Sequence, residues 1–221
     1  MSANKKEHRR YVFTVEGETE KWYFEWLEEQ INSCEKSAFD VSIRAIVEQS
    51  PYKYSKKVNP ISTPKVTHVC DYESNDSEHV KKFKNILSEL HDANSNFGRK
   101  FEYALAYSNF TFDLWIILHK ERCNAALTSR LKYLPLINKA YNEKFISLNQ
   151  YKEESNFKRC LRKLNLENVL SAIECSKNIM HEKEKNLEHI EEYKGFKYYK
   201  NNPALTIWKP IEAILKECKL L

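Results

Sequence analysis

The segment Tyr11–Leu27 constrains the fold of this chain more than any other. Tyr11-Val-Phe-Thr-Val15 is a short apolar run rich in β-branched residues and reads as a buried strand. It stops at Glu16-Gly17, where the chain must turn. Thr19 then offers a hydroxyl at an N-cap position, and Trp22, Phe24, Trp26 and Leu27 supply an apolar helical face. The order strand, turn, helix puts a carboxylate, Glu16, at the carboxyl end of a strand, the edge where open α/β sheets bind ligands.

The pattern recurs downstream. Phe39–Val47 alternates as a second strand, and residues 48–65, with Pro51, Pro60, Pro64 and several lysines, read as a long basic loop. Val66–Cys70 is a strand that runs into Asp71-Tyr-Glu73. Asp76 or Ser77 caps the next helix, whose apolar face is Val80, Phe83, Ile86, Leu87 and Leu90. A turn is expected at 92–100 around Gly98, a third strong strand at Phe101–Tyr107, and after the capping signal Ser108-Asn109 a buried helix over Phe110–His119. Strands alternating with helices predict a mainly parallel sheet flanked by helices. From about residue 125 helical signals dominate, with helices expected at Leu166–Tyr193, where Leu187 joins the apolar stripe, and at Leu205–Leu221. The expectation is a single α/β domain over 1–221, with a sheet core at about 8–125 and a helical C-terminal portion at about 126–221.

Composition sets limits on function. At 221 residues and 42% hydrophobic, the chain buries a sizeable core. Its three glycines argue against Gly-loop nucleotide sites, and the net charge of +5 permits a nucleic-acid partner without demanding one. The six cysteines form no CxxC pair and read as scattered reduced thiols. Residues 1–9 read as a basic, mobile arm rather than a signal peptide, and no apolar run approaches the roughly 20 residues of a membrane span. A cytoplasmic protein is expected.

The acids at strand ends carry the chemistry. If the first strand and the strand at 66–70 are neighbours, Glu16 and Asp71 converge, with Glu73 two residues on and so on the same side of an extended chain. Hard cations such as Mg²⁺ need only one or two carboxylates plus water and phosphate oxygens. Capping and turn roles explain the same acids without a metal, and Glu18 and Glu20 fit a first helical turn, where the dipole favours acids. Glu16, rather than Glu18 or Glu20, is the acid expected to face the site. Asn109, Asp113 and His119 form a second candidate set. Asp113 lies in an apolar segment and must be paired or protonated if buried, and His119 also suits a plain helix end. Basic residues interleaved with aromatics suggest contact with nucleic acid: Lys53 and Lys56 in the loop, Lys152, Lys158, Arg159, Arg162 and Lys163 further on, and Gly195-Phe-Lys-Tyr-Tyr-Lys200. Lys21, beside the first acids, is a further candidate.

Val-Glu-Gly-Glu-Thr-Glu-Lys-Trp-Tyr-Phe (15–24) resembles the opening motif of RloB-like proteins. His-Val-Cys-Asp-Tyr-Glu (68–73) is similar to their second, Asp-x-Asp motif, and residues 106–119 to their Ser-Asn-Pro-x-Phe-Glu-x-Trp-Leu-Leu-x-His segment. The basic run 152–163 and Asn201-Asn-Pro203 resemble later, weaker family features. The resemblance implies a toprim-like core, as in topoisomerases, primases and OLD-type nucleases, and a link to restriction and abortive-infection loci. It implies Mg²⁺ or Mn²⁺ held by Glu16, Asp71 and Glu73, with Asn109, Asp113 and His119 as further catalytic residues. This chain departs from the family in having Glu73 in place of Asp and Phe-Thr-Phe in place of the proline turn before Asp113. The implied function is a metal-dependent nuclease in prokaryotic antiviral, abortive-infection or CRISPR-linked defence, acting on RNA or DNA. The alternatives are a non-catalytic sensor or adaptor for a partner defence protein, and a nucleotidyl transferase.

Overall fold

The computed structural model describes residues 6–59, 65–97, 102–123 and 127–221. The first five residues of the basic arm, residues 60–64 of the long loop, the turn at Gly98 and the start of the strand at Phe101 lie outside them. A five-stranded sheet has the order β2-β1-β3-β4-β7. Here β1 is Glu7–Val15, β2 Phe39–Val47, β3 Lys65–Tyr72 and β4 Glu102–Asn109, all parallel, and β7 is Ala204–Leu205, antiparallel to β4. The chain is mixed α/β with a mostly parallel sheet and a helical C-terminal part, as its strand–helix alternation predicts.

Alternation along the strands supplies two faces. Phe13, Val15 and Val69 pack into a core with α1 (Glu18–Ser33) and α4 (Asp113–Leu118). Val12, Val66, Cys70 and Tyr107 pack on the opposite face with α3 (Ser77–Phe97). Helices on both faces explain why the second half of β1 and most of β3 are buried on both sides. The first core continues unbroken into α5 (Tyr133–Tyr141), α7 (Glu154–Leu161), α8 (Leu166–Lys185) and α9 (Trp208–Glu217), through Ile137, Phe157, Ile173 and Ile214.

Several local expectations are corrected. Residues 7–10 belong to β1, because they pair with Phe39–Ser42, so the arm ends at Lys6. Part of the long loop is a short helix, α2 (Pro51–Ser55), started by Ser50, whose hydroxyl accepts from the Lys53 amide. The helix after β3 runs on to Phe97 through the expected turn, capped by Asp76, which accepts from the amides of Glu78 and His79. Ser108 and Asn109 are strand residues, and Thr111 bonds the Asp113 amide at the start of α4. The helix expected to reach Tyr193 stops at Lys185. Leu187 is left-handed and 89% exposed, and β5 (Glu191–Tyr193) and β6 (Phe196–Tyr198) form a hairpin around Lys194-Gly195, both at positive φ. Charged residues at the end of α8 keep a helical period without an apolar face to bury. Among the described residues no helix is long and apolar enough to cross a membrane, and no disulfide joins the six cysteines.

Candidate active site

The site lies at the carboxyl ends of β1 and β3, which pair directly: Val15 is in register with Val69. This register carries the next residues of each strand side by side. Glu16 Oε2 accepts the Asp71 backbone amide at 3.0 Å. Gly17 is the N-cap of α1, not Thr19, and it makes no side-chain cap. A Cβ at Gly17 would stand 3.2 Å from Glu20 Oε2. The missing side chain leaves room for the Glu20 carboxylate to fold back over the first turn, where the Thr19 hydroxyl donates to it at 3.0 Å. Glu20 is therefore buried against the pocket, contrary to the expectation that Glu16 alone of this stretch faces it.

A cleft of about 320 Å³ collects these groups. Five carboxylates line it, Glu16, Glu18, Glu20, Asp71 and Glu73, against three cations, Lys82, Arg130 and Lys152. Fully ionised, the set has two more negative charges than positive. Burial, then the nearby Glu16 and Glu20, push the Asp71 carboxyl well above its ordinary range. Burial raises Glu16 and Glu20 as well, against the pull of Lys82 on Glu16 and of Lys152 on Glu20. Glu16 Oε1 is buried without a hydrogen-bond partner, its nearest cation, Lys82 Nζ, being 3.7 Å away.

Glu73 differs. Burial pushes it up, but Lys82 at 2.6 Å and Arg130 at 2.8 Å outweigh that, and its net shift is downward. Both its oxygens are engaged in ion pairs, so it stands as an anchor for two cations rather than as a free ligand. His79, 3.4 Å from Glu73 and 2.6 Å from Asp76, completes the ring, and its pKa is raised by the bond to Asp76. Among the described residues no three His, Cys, Asp or Glu side chains form a ready-made metal cluster. The excess of acid and the unpartnered Glu16 oxygen nonetheless fit a divalent cation held by Glu16 and Asp71 with water, since such an ion needs few protein ligands.

The second candidate set is not brought together. Asp113 is fully buried and does not line the cleft. Its Oδ2 accepts from the Thr111 hydroxyl at 3.0 Å and pairs with Lys152 at 3.5 Å, while Oδ1 has no partner. It supports Lys152, which in turn faces Glu20 and Asp71: burial would lower the Lys152 pKa, but the three acids outweigh it and raise it. Asn109 is instead a structural clasp. Its amide donates to the carbonyls of Tyr199 and Lys200, tying the β6–β7 connection to the end of β4. His119 sits in the aromatic core between Tyr23, Trp26 and Trp115, outside the cleft. Nδ1 donates to the Trp115 carbonyl at 2.8 Å, which leaves Nε2 to accept from the Tyr23 hydroxyl at 3.1 Å. Burial lowers its pKa to about 4, so it is a neutral packing residue.

The lysines and arginines expected to hold substrate are also dispersed. Lys21 pairs with Glu18 at the rim. Lys53 is exposed on α2, and Lys56 lies over the Tyr52 ring. Lys158 pairs with Glu154, Arg159 is bidentate to Glu143, and Arg162 is exposed at the end of α7. None of the six lines the cleft. Tyr198 and Tyr199 of the aromatic–basic segment are core residues, not a stacking platform. Of the basic run 152–163 only Lys152 reaches the acids, because it sits between α6 (Leu148–Tyr151) and α7, where the chain turns inward. Lys82, on the first turns of α3, and Arg130, at the start of a 3₁₀ turn (Arg130–Lys132), escaped sequence reasoning. Lys82 lies three residues after His79 on the first turns of α3, a spacing that puts both on the face toward Glu73; nothing near Arg130 in the chain signals its role.

A model of the RloB-like protein family matches residues 11–214, most of the chain. The chain belongs to the RloB-like family. That match spans both the sheet and the helical half, so Arg130 and Lys152 lie inside the family region as surely as Glu16 and Asp71 do. No curated protein and no solved structure matches this RloB-like chain.

Proposed function

We propose that this RloB-like protein is a metal-dependent nuclease that cleaves phosphodiester bonds in RNA or DNA and serves prokaryotic antiviral defence. The observation that carries this reading is the meeting of Glu16, Glu20 and Asp71 in a cleft whose acid exceeds its base, rimmed by Lys82 and Arg130. Glu16 and Asp71 would hold Mg²⁺ or Mn²⁺, which when bound supplies Lewis-acid polarisation of a phosphoryl oxygen and a water of lowered pKa. Lys82 and Arg130, steadied by Glu73, neutralise the nucleic-acid backbone, and Arg130 offers the planar fork that suits phosphate. Lys152, held by Asp113, keeps the crowded acids from repelling one another.

The test is cleavage of end-labelled RNA and DNA oligonucleotides with Mg²⁺ or Mn²⁺. The wild type cuts at least one, and Asp71→Ala cuts neither. Undiminished cutting by the variant removes the assignment. A second reading, a non-catalytic sensor or adaptor for a defence partner, draws on the saturation of Glu73 by Lys82 and Arg130. Calorimetric titration with Mn²⁺ separates the two: an adaptor shows no saturable binding that depends on Asp71.

A further inference from the structure

Beside the acid cleft lies a larger cavity of about 700 Å³, within the size range of about 300–1,000 Å³ typical of ligand pockets. Two of its walls lie close along the chain to residues of the cleft. Asn75, on one side, is four residues on from Asp71, so no more than about 14 Å of chain separates them. Thr128, on the other, is two residues before Arg130. The far wall is the end of α8 and the Asn201-Asn202-Pro203 segment, a motif that the acid cleft leaves unused.

The lining is part ring, part amide. Phe110, Leu127, Ile179 and Pro203 provide apolar surface. Asn202 is fixed in place, accepting from the Tyr133 hydroxyl at 3.1 Å and donating to the Leu127 carbonyl at 3.0 Å. Among the described residues the side-chain amides of Asn186 and Asn201 make no hydrogen bond, and Asn75 uses only its carbonyl, toward Tyr72. Each free amide offers both donor and acceptor. The charges are unsuited to a phosphate: buried Lys183 is already paired with Glu188 at 2.9 Å, and Glu182 adds a further carboxylate. A flat, neutral, hydrogen-bonding ring fits, and the carboxylates favour one that carries an exocyclic amino group.

We propose that this cavity binds an unpaired nucleobase whose 6-position (purine) or 4-position (pyrimidine) carries an amino group in place of a carbonyl, adenine or cytosine, from the strand whose backbone crosses the acid cleft. The strand's place over the acids rests on the nuclease reading above; base capture by the cavity is measured independently of it. Single-stranded nucleic acid is recognised in this way, by stacking a splayed base and bonding its edge.

The experiment is fluorescence anisotropy of labelled single-stranded oligo-A, oligo-C and oligo-U, as RNA and as DNA with oligo-T, on the full chain in EDTA, so that no cleavage or metal is needed. Wild type binds the A and C strands several-fold more tightly than U or T. Thr128→Trp, which intrudes into the cavity, and the gentler double variant Asn186→Ala/Asn201→Ala each weaken A and C binding about tenfold, as loss of one stacked or bonded base does. Asp71→Asn leaves the A and C preference intact. Equal binding of all bases, no binding by wild type, or unchanged affinity in both cavity variants overturns the inference. Failure of the nuclease reading appears elsewhere, as absence of Asp71-dependent Mn²⁺ binding and cutting, and leaves the base preference standing.

Discussion

Glu143 and Asp71 are both carboxylates beside basic side chains, one on the outside of the helical half and one at the sheet edge. Glu143 accepts two bonds from Arg159, at 3.1 and 2.9 Å, and one from Lys163 at 2.6 Å. These bonds, the Arg159 ones foremost, hold its pKa down. For Asp71 the nearest cation among the described residues, Arg130, is 3.8 Å away, and burial with two neighbouring acids drives its pKa up. The first cluster is satisfied as it stands and helps join α5 to α7. The second is left with a deficit of positive charge that folding alone does not meet. Residue types barely distinguish them; satisfaction does, and an unsatisfied buried cluster is where a ligand earns its place.

The comparison breaks most sharply on activity. Asp71→Asn lowers metal-dependent cleavage on the order of 100-fold, whereas Glu143→Gln leaves it within about twofold; equal losses in the two variants would dissolve the distinction. Next is the Asp113–Lys152 pair. Lys152→Met strands the buried Asp113 without its cation and costs about 3 kcal/mol in urea denaturation. Adding Asp113→Asn to it restores most of that, and a single variant as stable as wild type would show the pair to be idle.

Metal linkage is slightly smaller. If Glu16 and Asp71 hold the ion as proposed, Mn²⁺ at a hundredfold over its dissociation constant stabilises wild type by about 2.7 kcal/mol in thermal unfolding. The same addition leaves Asp71→Asn unmoved, and an equal shift in both would place the ion elsewhere.

pH separates the cleft from the core by sign. His119 has its pKa depressed to about 4 in the fold from 6.5 unfolded. Its stabilisation is fully present above pH 6.5 and is lost as pH falls toward 4, because the unfolded chain takes up the proton first. The raised carboxylates run the other way: the metal-free fold binds their protons before the unfolded chain does, so acidification toward pH 4 relieves the cleft. In urea midpoints measured from pH 7 to 4 without metal, Asp71→Asn therefore declines more steeply than wild type. A shallower decline contradicts the assignment of charge in the cleft. The smallest effect is on the surface: Glu143→Gln lowers stability by about 1 kcal/mol or less, since its partners are largely exposed.

Much of this was legible along the chain. Apolar runs ending in Glu16 and Asp71, with helical periods between them, determine a mostly parallel sheet with acids on one edge, because strand and helix periodicities are local and a parallel sheet puts every strand's carboxyl end on the same side. Periodicity also misled, carrying the last long helix past Lys185 into a hairpin and placing Leu187 in a core it does not reach. What only the tertiary structure decided is which charges meet. Glu20 folds back because Gly17 leaves room; Lys82 arrives on α3, Arg130 on a 3₁₀ turn 57 residues from its partner Glu73, and Lys152 from a break between two helices. His119 and Asn109, alike in type to catalytic residues, are drawn into the core and a strand clasp. A side chain's chemistry is written at its own position, but its neighbours across tens of residues are set by the path of the whole chain, and in a desolvated cleft those neighbours decide the charge.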